Sequence, residues 1–142
     1  MALNRRALIA KLATTLGEIT GLMTVVRTYA DVDMTLYNEA ELPLANVVEP
    51  AEEVFENEST QRSMMSLSLR VRIWFVTWGI NPTSTYENLV KAIRDKIGEH
   101  FTLDQTATKC QVDSVSGISG EMPLYYFDVV LETRYHLNEK NT

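Results

Sequence analysis

Three residues of this chain, His100, Asp104 and Cys110, have the types of a base, an orienting carboxylate and a nucleophile. A histidine held by a carboxylate takes the thiol's proton, and the thiolate then attacks an electrophilic carbon. The simpler reading, and the expected one, makes Cys110 a small core residue and His100 a helix-end residue. Asp128 and Glu132 share one face of an alternating segment and have the types of an acid/base pair. Arg70, Arg72 and Arg134 occupy comparable faces, so cross-strand ion pairing is the expected role of these carboxylates. Gly117-Ile118-Ser119-Gly120 matches the Gly-x-x-Gly of a KH nucleic-acid loop, but it joins two strands without flanking basic residues. A hairpin turn is expected there. His100 and His136 are the only histidines, and neither has metal-ligand spacing with another His or Cys. No Walker-type or dinucleotide-binding glycine pattern occurs. The expectation is a protein that is not an enzyme and holds no cofactor or metal.

Shape and surface then carry the functional argument, and the strongest pattern lies in two long alternating segments, Met65–Trp78 and Leu124–Leu137. Met65, Leu67, Leu69, Val71, Ile73 and Phe75 fall on one face of the first, opposite Ser66, Ser68, Arg70, Arg72 and Trp74. In the second, Tyr125, Phe127, Val129, Leu131, Tyr135 and Leu137 oppose Asp128, Glu132, Arg134 and His136. Period-2 patterning of this extent predicts strands with one buried and one wetted face, each about twice the usual length. Such strands outlast a compact sheet and project toward something else.

The chain has 142 residues, enough for one domain with its own core. Its formal net charge of −6 opposes a grip on nucleic acid, which needs Lys and Arg to neutralise phosphates. Cys110 is alone, so a reducing compartment fits. The apolar run after Arg5 and Arg6 stops at Lys11, too short for a signal peptide, and no stretch reaches the length of a membrane span.

Leu8, Ile9, Leu12 and Leu16 predict an amphipathic helix from about Asn4 to Leu16, with Gly17 as its stop. Arg5 and Arg6 then stand in the first turn, where the macrodipole disfavours cations, so they need a partner or an earlier helix start. A short strand, Thr24–Tyr29, follows. Between Ala30 and Gln61 there are Asp and Glu residues but no Lys or Arg. Within it, Leu42–Val48 predicts a strand at the sheet edge, where Pro43 is tolerated. Glu49–Thr60 reads as a long solvated connection. Ser84-Thr85-Tyr86-Glu87 reads as a capping box opening a second helix, with Tyr86, Leu89, Val90, Ile93, Ile97 and Phe101 on one face. Leu103-Asp104 ends that helix, and Lys109–Val115 is a short strand. The order predicts an α+β domain over residues 1–142: a mostly antiparallel sheet with two long strands and two helices packed on one face, ending in a polar tail. Trp74 and Trp78 lie on the less apolar face of the first long strand. They are either interface anchors or are covered by a loop such as Glu49–Thr60.

This layout resembles the tail terminator proteins of long-tailed bacteriophages, also called minor tail or tail completion proteins. The resemblance rests on the opening helix ending in Leu16-Gly17, the Val25-Val26-Arg27 strand, and the Leu42–Val48 strand in acidic context. The long Leu67–Trp78 strand, the second helix, Leu103-Asp104-Gln105-Thr106 and the final strand ending Glu132-Thr133-Arg134-Tyr135 complete it. The family usually has a glycine soon after the Leu103-Asp104 position, where this chain has Ala107-Thr108-Lys109. The resemblance implies a homohexameric ring that caps the tail tube, stops its polymerisation and joins the tail to the head connector. Its implied partners are copies of itself, the major tail tube protein and the head–tail connector or stopper. DNA passes through the lumen without specific binding, and the place of action is the virion neck after assembly in the host cytoplasm. The expected interface residues are Arg5, Arg6, Glu49, Glu52, Glu53, Glu56, Trp74, Trp78 and Leu137. The alternatives are another phage neck or head-completion protein, or a small soluble enzyme.

Overall fold

The structure is a computed structural model that describes residues 5–28, 33–58, 62–79, 81–99 and 109–138. Helix α1 (Arg5–Gly17) leads through a turn to strand β1 (Thr24–Thr28). Two short 3-10 helices, Met34–Leu36 and Glu39–Glu41, precede β2 (Leu44–Glu58), which forms a hairpin with β3 (Arg62–Val76). Helix α2 (Thr83–Glu99) is followed by β4 (Lys109–Val115), β5 (Ser119–Glu121) and β6 (Leu124–Asn138). The strands form one sheet in the order β1-β2-β3-β6-β4, with β5 also on β6. Only β1 and β2 pair in parallel; the other pairs are antiparallel. The fold is α+β, as the alternation of residue types predicts.

The core lies on one face of this sheet. Leu67, Leu69, Val71, Ile73 and Phe75 of β3 join Phe127, Val129 and Leu131 of β6 in one buried cluster. Helix α1 contributes Leu8, Ile9, Leu12 and Leu16, and α2 contributes Leu89, Val90, Ile93 and Ile97. These residues recur at three- and four-residue spacing on each helix, which is the stripe a helix presents to a sheet. Each fully buried Leu, Ile or Phe stabilises the fold by roughly 1.5–3 kcal/mol. Thr15 lies in the α1 stripe without leaving a polar orphan, because its hydroxyl donates to the Lys11 carbonyl at 2.9 Å.

The structure corrects the sequence reading in several places. Glu49–Glu58 is the second half of β2 and not a loop, so the sheet has three strands of 15 residues where two were expected. The Glu-rich composition hides it, since Glu and Asn are poor strand formers. Pro50 hides it further. Between Val48 and Glu52 the β2–β3 register slips, with Glu49, Pro50 and Ala51 facing Leu69 alone. Proline has no N–H to give a ladder, so a bulge is where it fits. Leu44–Val48 is also not an edge strand: it runs between β1 and β3, and Pro43 stands just outside it. Among the described residues, the pairing with β1 ends at Val48, and β2 continues beside β3 alone.

Helix α2 begins at Thr83, one residue before the expected cap, and the Asn81 side chain accepts the Thr83 N–H at 3.0 Å. Ser84 therefore sits inside the first turn. The Gly117–Gly120 segment does not make a single hairpin turn either. β5 begins within it, pairing Gly120 with Tyr125 across a turn at Met122-Pro123. Gly120 has φ of +105°, and a Cβ there would stand 2.6 Å from the Leu124 carbonyl oxygen, so no other residue fits.

Candidate functional site

The second face of the sheet carries its own ordered rows. Asn46, Arg72 and Asp128 align across β2, β3 and β6. Arg72 grips Asp128 through Nε to Oδ1 at 2.8 Å and through its terminal nitrogen to Oδ2 at 3.1 Å. Its guanidinium also lies 4.3 Å from the centre of the Tyr126 ring. Asn46 is wholly buried, and its Oδ1 accepts the Thr28 hydroxyl at 2.7 Å. Two residues along, Leu44, Trp74 and Tyr126 align, with the Trp74 and Tyr126 rings 4.7 Å apart. Leu44 is wholly buried, so the centre of this face is not the wetted surface its sequence suggests. Trp74 Nε1 is buried and has no hydrogen-bond partner among the described residues.

Asp128 and Glu132 do not act as a pair. Four residues apart on one strand, they are separated by ~13 Å. Asp128 belongs to Arg72, and Glu132 accepts from Arg134 Nε at 3.1 Å. Cys110 is 1% exposed and belongs to the core cluster. Burial pushes its thiol pKa up, while the Thr133 hydroxyl, donating to Sγ at 3.6 Å, acts weakly the other way. The thiol is thus held protonated, the opposite of an activated nucleophile. His100 and Asp104 lie outside the described residues. An open depression of ≈ 270 Å³ between α2 and β4 touches Cys110 and is lined by Arg94, Ile97, Gly98, Gln111 and Val112. Among the described residues no group of three His, Cys, Asp or Glu could hold a metal ion.

Three strands run long toward one end of the sheet. Among the described side chains, the core cluster occupies β3 from Leu67 to Phe75, about 27 Å of strand. β3 continues for roughly 17 Å more, from Leu67 back to Arg62. β2 and β6 accompany it, pairing Phe55 with Met65, Met65 with Tyr135, and Ser63 with Leu137. This three-stranded arm includes Glu52, Glu53 and Glu56 of β2, while Glu49 lies at the bulge where the arm departs. Leu137 therefore stands near the arm tip.

Trp78 stands at the other end of the sheet. It follows β3, is 66% exposed, and its Nε1 donates to Glu39 Oε1 at 3.0 Å. The two interface candidates Trp78 and Leu137 are thus separated by the full length of β3, nearly 50 Å. Arg5 and Arg6 open α1 with no acidic residue in its first turn, and Arg6 is exposed. Nothing in the sequence placed the 3-10 helices beside Trp78; the run of Glu39 and Glu41 signalled charge, but the contact needs the chain reversal that the sheet imposes.

No protein-family model matches the chain, and no curated protein matches it. No helix among the described residues is long and apolar enough to cross a membrane.

Proposed function

We propose that the chain is a tail terminator subunit of a long-tailed bacteriophage, a structural protein that closes the tail tube and joins it to the head connector. The observation that carries this reading is the length of β2, β3 and β6, three paired strands of 15 residues whose far end forms a three-stranded arm of residues 52–58, 62–66 and 134–138. Strands of this length give the subunit a sheet with two distant ends, and a subunit built into a ring has use for both. A closed ring needs heterologous contacts, in which one surface meets a different surface of the neighbour. An arm at one end and a compact body at the other supply two unlike surfaces. The acidic balance supports a lumen that lets DNA pass, since carboxylates repel phosphate. The described elements follow the order on which the resemblance to tail terminators rests, with β2 longer and β5 and two 3-10 helices added.

Purified protein mixed with the polymerising tail-tube protein of the same genome tests the reading. Capped tubes of uniform length in electron micrographs are expected. Tubes that grow as they do without the protein would overturn the proposal and favour a head-completion protein in the neck.

A further inference from the structure

Among the described residues, the exposed large hydrophobics are Met23 at 63%, Leu36 at 74%, Trp78 at 66% and Met122 at 57%. They come from four separate parts of the sequence, yet all gather at the sheet end opposite the arm. Met23 immediately precedes β1, and its N–H donates to the Pro43 carbonyl at the start of β2. Trp78 follows β3. Met122 stands in the turn before β6, where the Thr77 N–H donates to the Pro123 carbonyl at 2.9 Å. Leu36 is three residues from Glu39, whose carboxylate holds the Trp78 indole. Singly exposed apolar residues need no explanation, but their convergence on one end does.

The described charged residues in the loops and turns at this end are all acidic. No lysine or arginine stands between Lys11 and Arg27, between Arg27 and Arg62, between Arg72 and Lys91, or between Lys109 and Arg134. Those intervals supply the loops and turns that gather here, and they bring Asp33, Glu39, Glu41 and Glu121 with them. Asp33 is held as a carboxylate, its pKa lowered by the side-chain and backbone hydrogen bonds from Thr35. Glu39 does two things: it adds negative charge and it fixes the ring of Trp78, so the largest apolar group is pre-oriented.

We infer that this end, built around Trp78, Leu36, Met23 and Met122 with a rim of Glu39, Glu41 and Glu121, docks a protein surface of apolar side chains bordered by lysine and arginine. Nucleic acid and anionic lipid fail on charge. A second copy meeting the same end in a symmetric contact would set carboxylates against carboxylates. The complement of an apolar surface rimmed by carboxylates is apolar and cationic, and Trp is among the side chains that most often anchor such contacts. The inference stands whether or not the chain caps a tail tube.

Two designed amphipathic helical peptides with one shared leucine face test it, one with lysine on its polar face and the other with glutamate. Binding to the full-length protein is followed by fluorescence anisotropy of labelled peptide at several salt concentrations. The lysine peptide should bind, and the glutamate peptide should bind at least tenfold more weakly. Trp78→Ser should weaken the lysine peptide by tenfold or more, and thermal melts should show the variant folded because the side chain is mostly in solvent. Leu36→Ser with Met122→Ser is the second apolar variant and should act in the same direction. Glu39→Gln with Glu121→Gln keeps an oxygen for the Trp78 N–H, and should lower affinity several-fold and flatten the salt dependence. Equal binding of both peptides, binding unchanged by both apolar variants, or a loss produced instead by Asp113→Asn with Glu99→Gln elsewhere on the surface would each overturn the inference.

Discussion

Ile73 and Val129 show most sharply what single positions contribute, because both are at most 1% exposed in the middle of the paired strands. An aspartate at either site would bury a carboxylate with no cation to meet it, at a cost of several kcal/mol. Total stabilities of about 5–15 kcal/mol leave little room for that loss. Ile73→Asp and Val129→Asp should therefore fail to give a cooperative thermal transition. On the opposite face, Arg72 makes two hydrogen bonds to Asp128 and covers Tyr126. Arg72→Ala should destabilise by about 2–3 kcal/mol in urea titrations. Arg72→Lys should recover only part of this, since an ammonium cannot make the two-pronged contact. Cys110 gives a pH signature. Its folded pKa is raised, so above the unfolded thiol value of about 8.5 the unfolded chain loses its proton first. Folding stability is fully present below that pH and falls as pH rises through the folded value. Comparing the chain with Cys110→Ala between pH 8 and 10 should show a shallower decline in the variant, and a thiol reagent should label the native protein only as it unfolds.

At the scale of elements, β2 is two strands in one. Leu44–Val48 is flanked on both sides, and its Leu44, Ala45, Asn46 and Val47 are wholly buried. Past the Pro50 bulge the same strand pairs, among the described residues, with β3 alone, and four of its eight residues are glutamate. Charges on an exposed edge prevent a second strand from adding to it, because like charges would face each other at strand spacing. Replacing Glu52, Glu53 and Glu56 together by threonine should keep the subunit folded and raise its tendency to associate edge to edge. Light scattering against concentration measures this, and a variant that stays as dispersed as the parent would show the glutamates serve something else. Assembly should also order the arm further: amide exchange across 52–58 should slow between the free and assembled protein. Equal, high protection in both states would show the arm is fully stable alone.

For the whole molecule, the separation of Trp78 from Leu137 sets what the end substitutions should do. They stand at opposite ends of a sheet nearly 50 Å long. Trp78→Asp and Leu137→Asp should each leave a folded subunit and each interfere with a different contact of the proposed assembly. Electron microscopy of assembled tails, with thermal melts alongside, separates the two. Loss of the same contact in both variants would contradict a two-ended subunit. The cations at the start of α1 make a further prediction at this scale. The helix dipole disfavours Arg5 and Arg6 where they stand, so a neighbouring subunit's carboxylates are their expected partners. Arg5→Glu with Arg6→Glu should weaken assembly without lowering the melting temperature, and normal assembly at all salt concentrations would exclude that role.

The alternating types of Leu67 to Phe75 and Phe127 to Leu131, and the helical spacing of Leu8 to Leu16 and Leu89 to Ile97, by themselves determined the α+β class, the core and the helix-covered face. Those patterns are local: a strand's period of two and a helix's period of 3.6 are set by backbone geometry, so side-chain type along the chain reports them directly. The second half of β2, the interior place of Leu44–Val48 and the gathering of Met23, Leu36, Trp78 and Met122 were decided only by tertiary structure. A Glu-rich segment becomes a strand when a neighbour's unpaired N–H and C=O groups are there to meet it, and β3 supplies them from across a hairpin. Four apolar residues become one surface only when the sheet brings its strand ends together, and neither event is written in the order of residues around them.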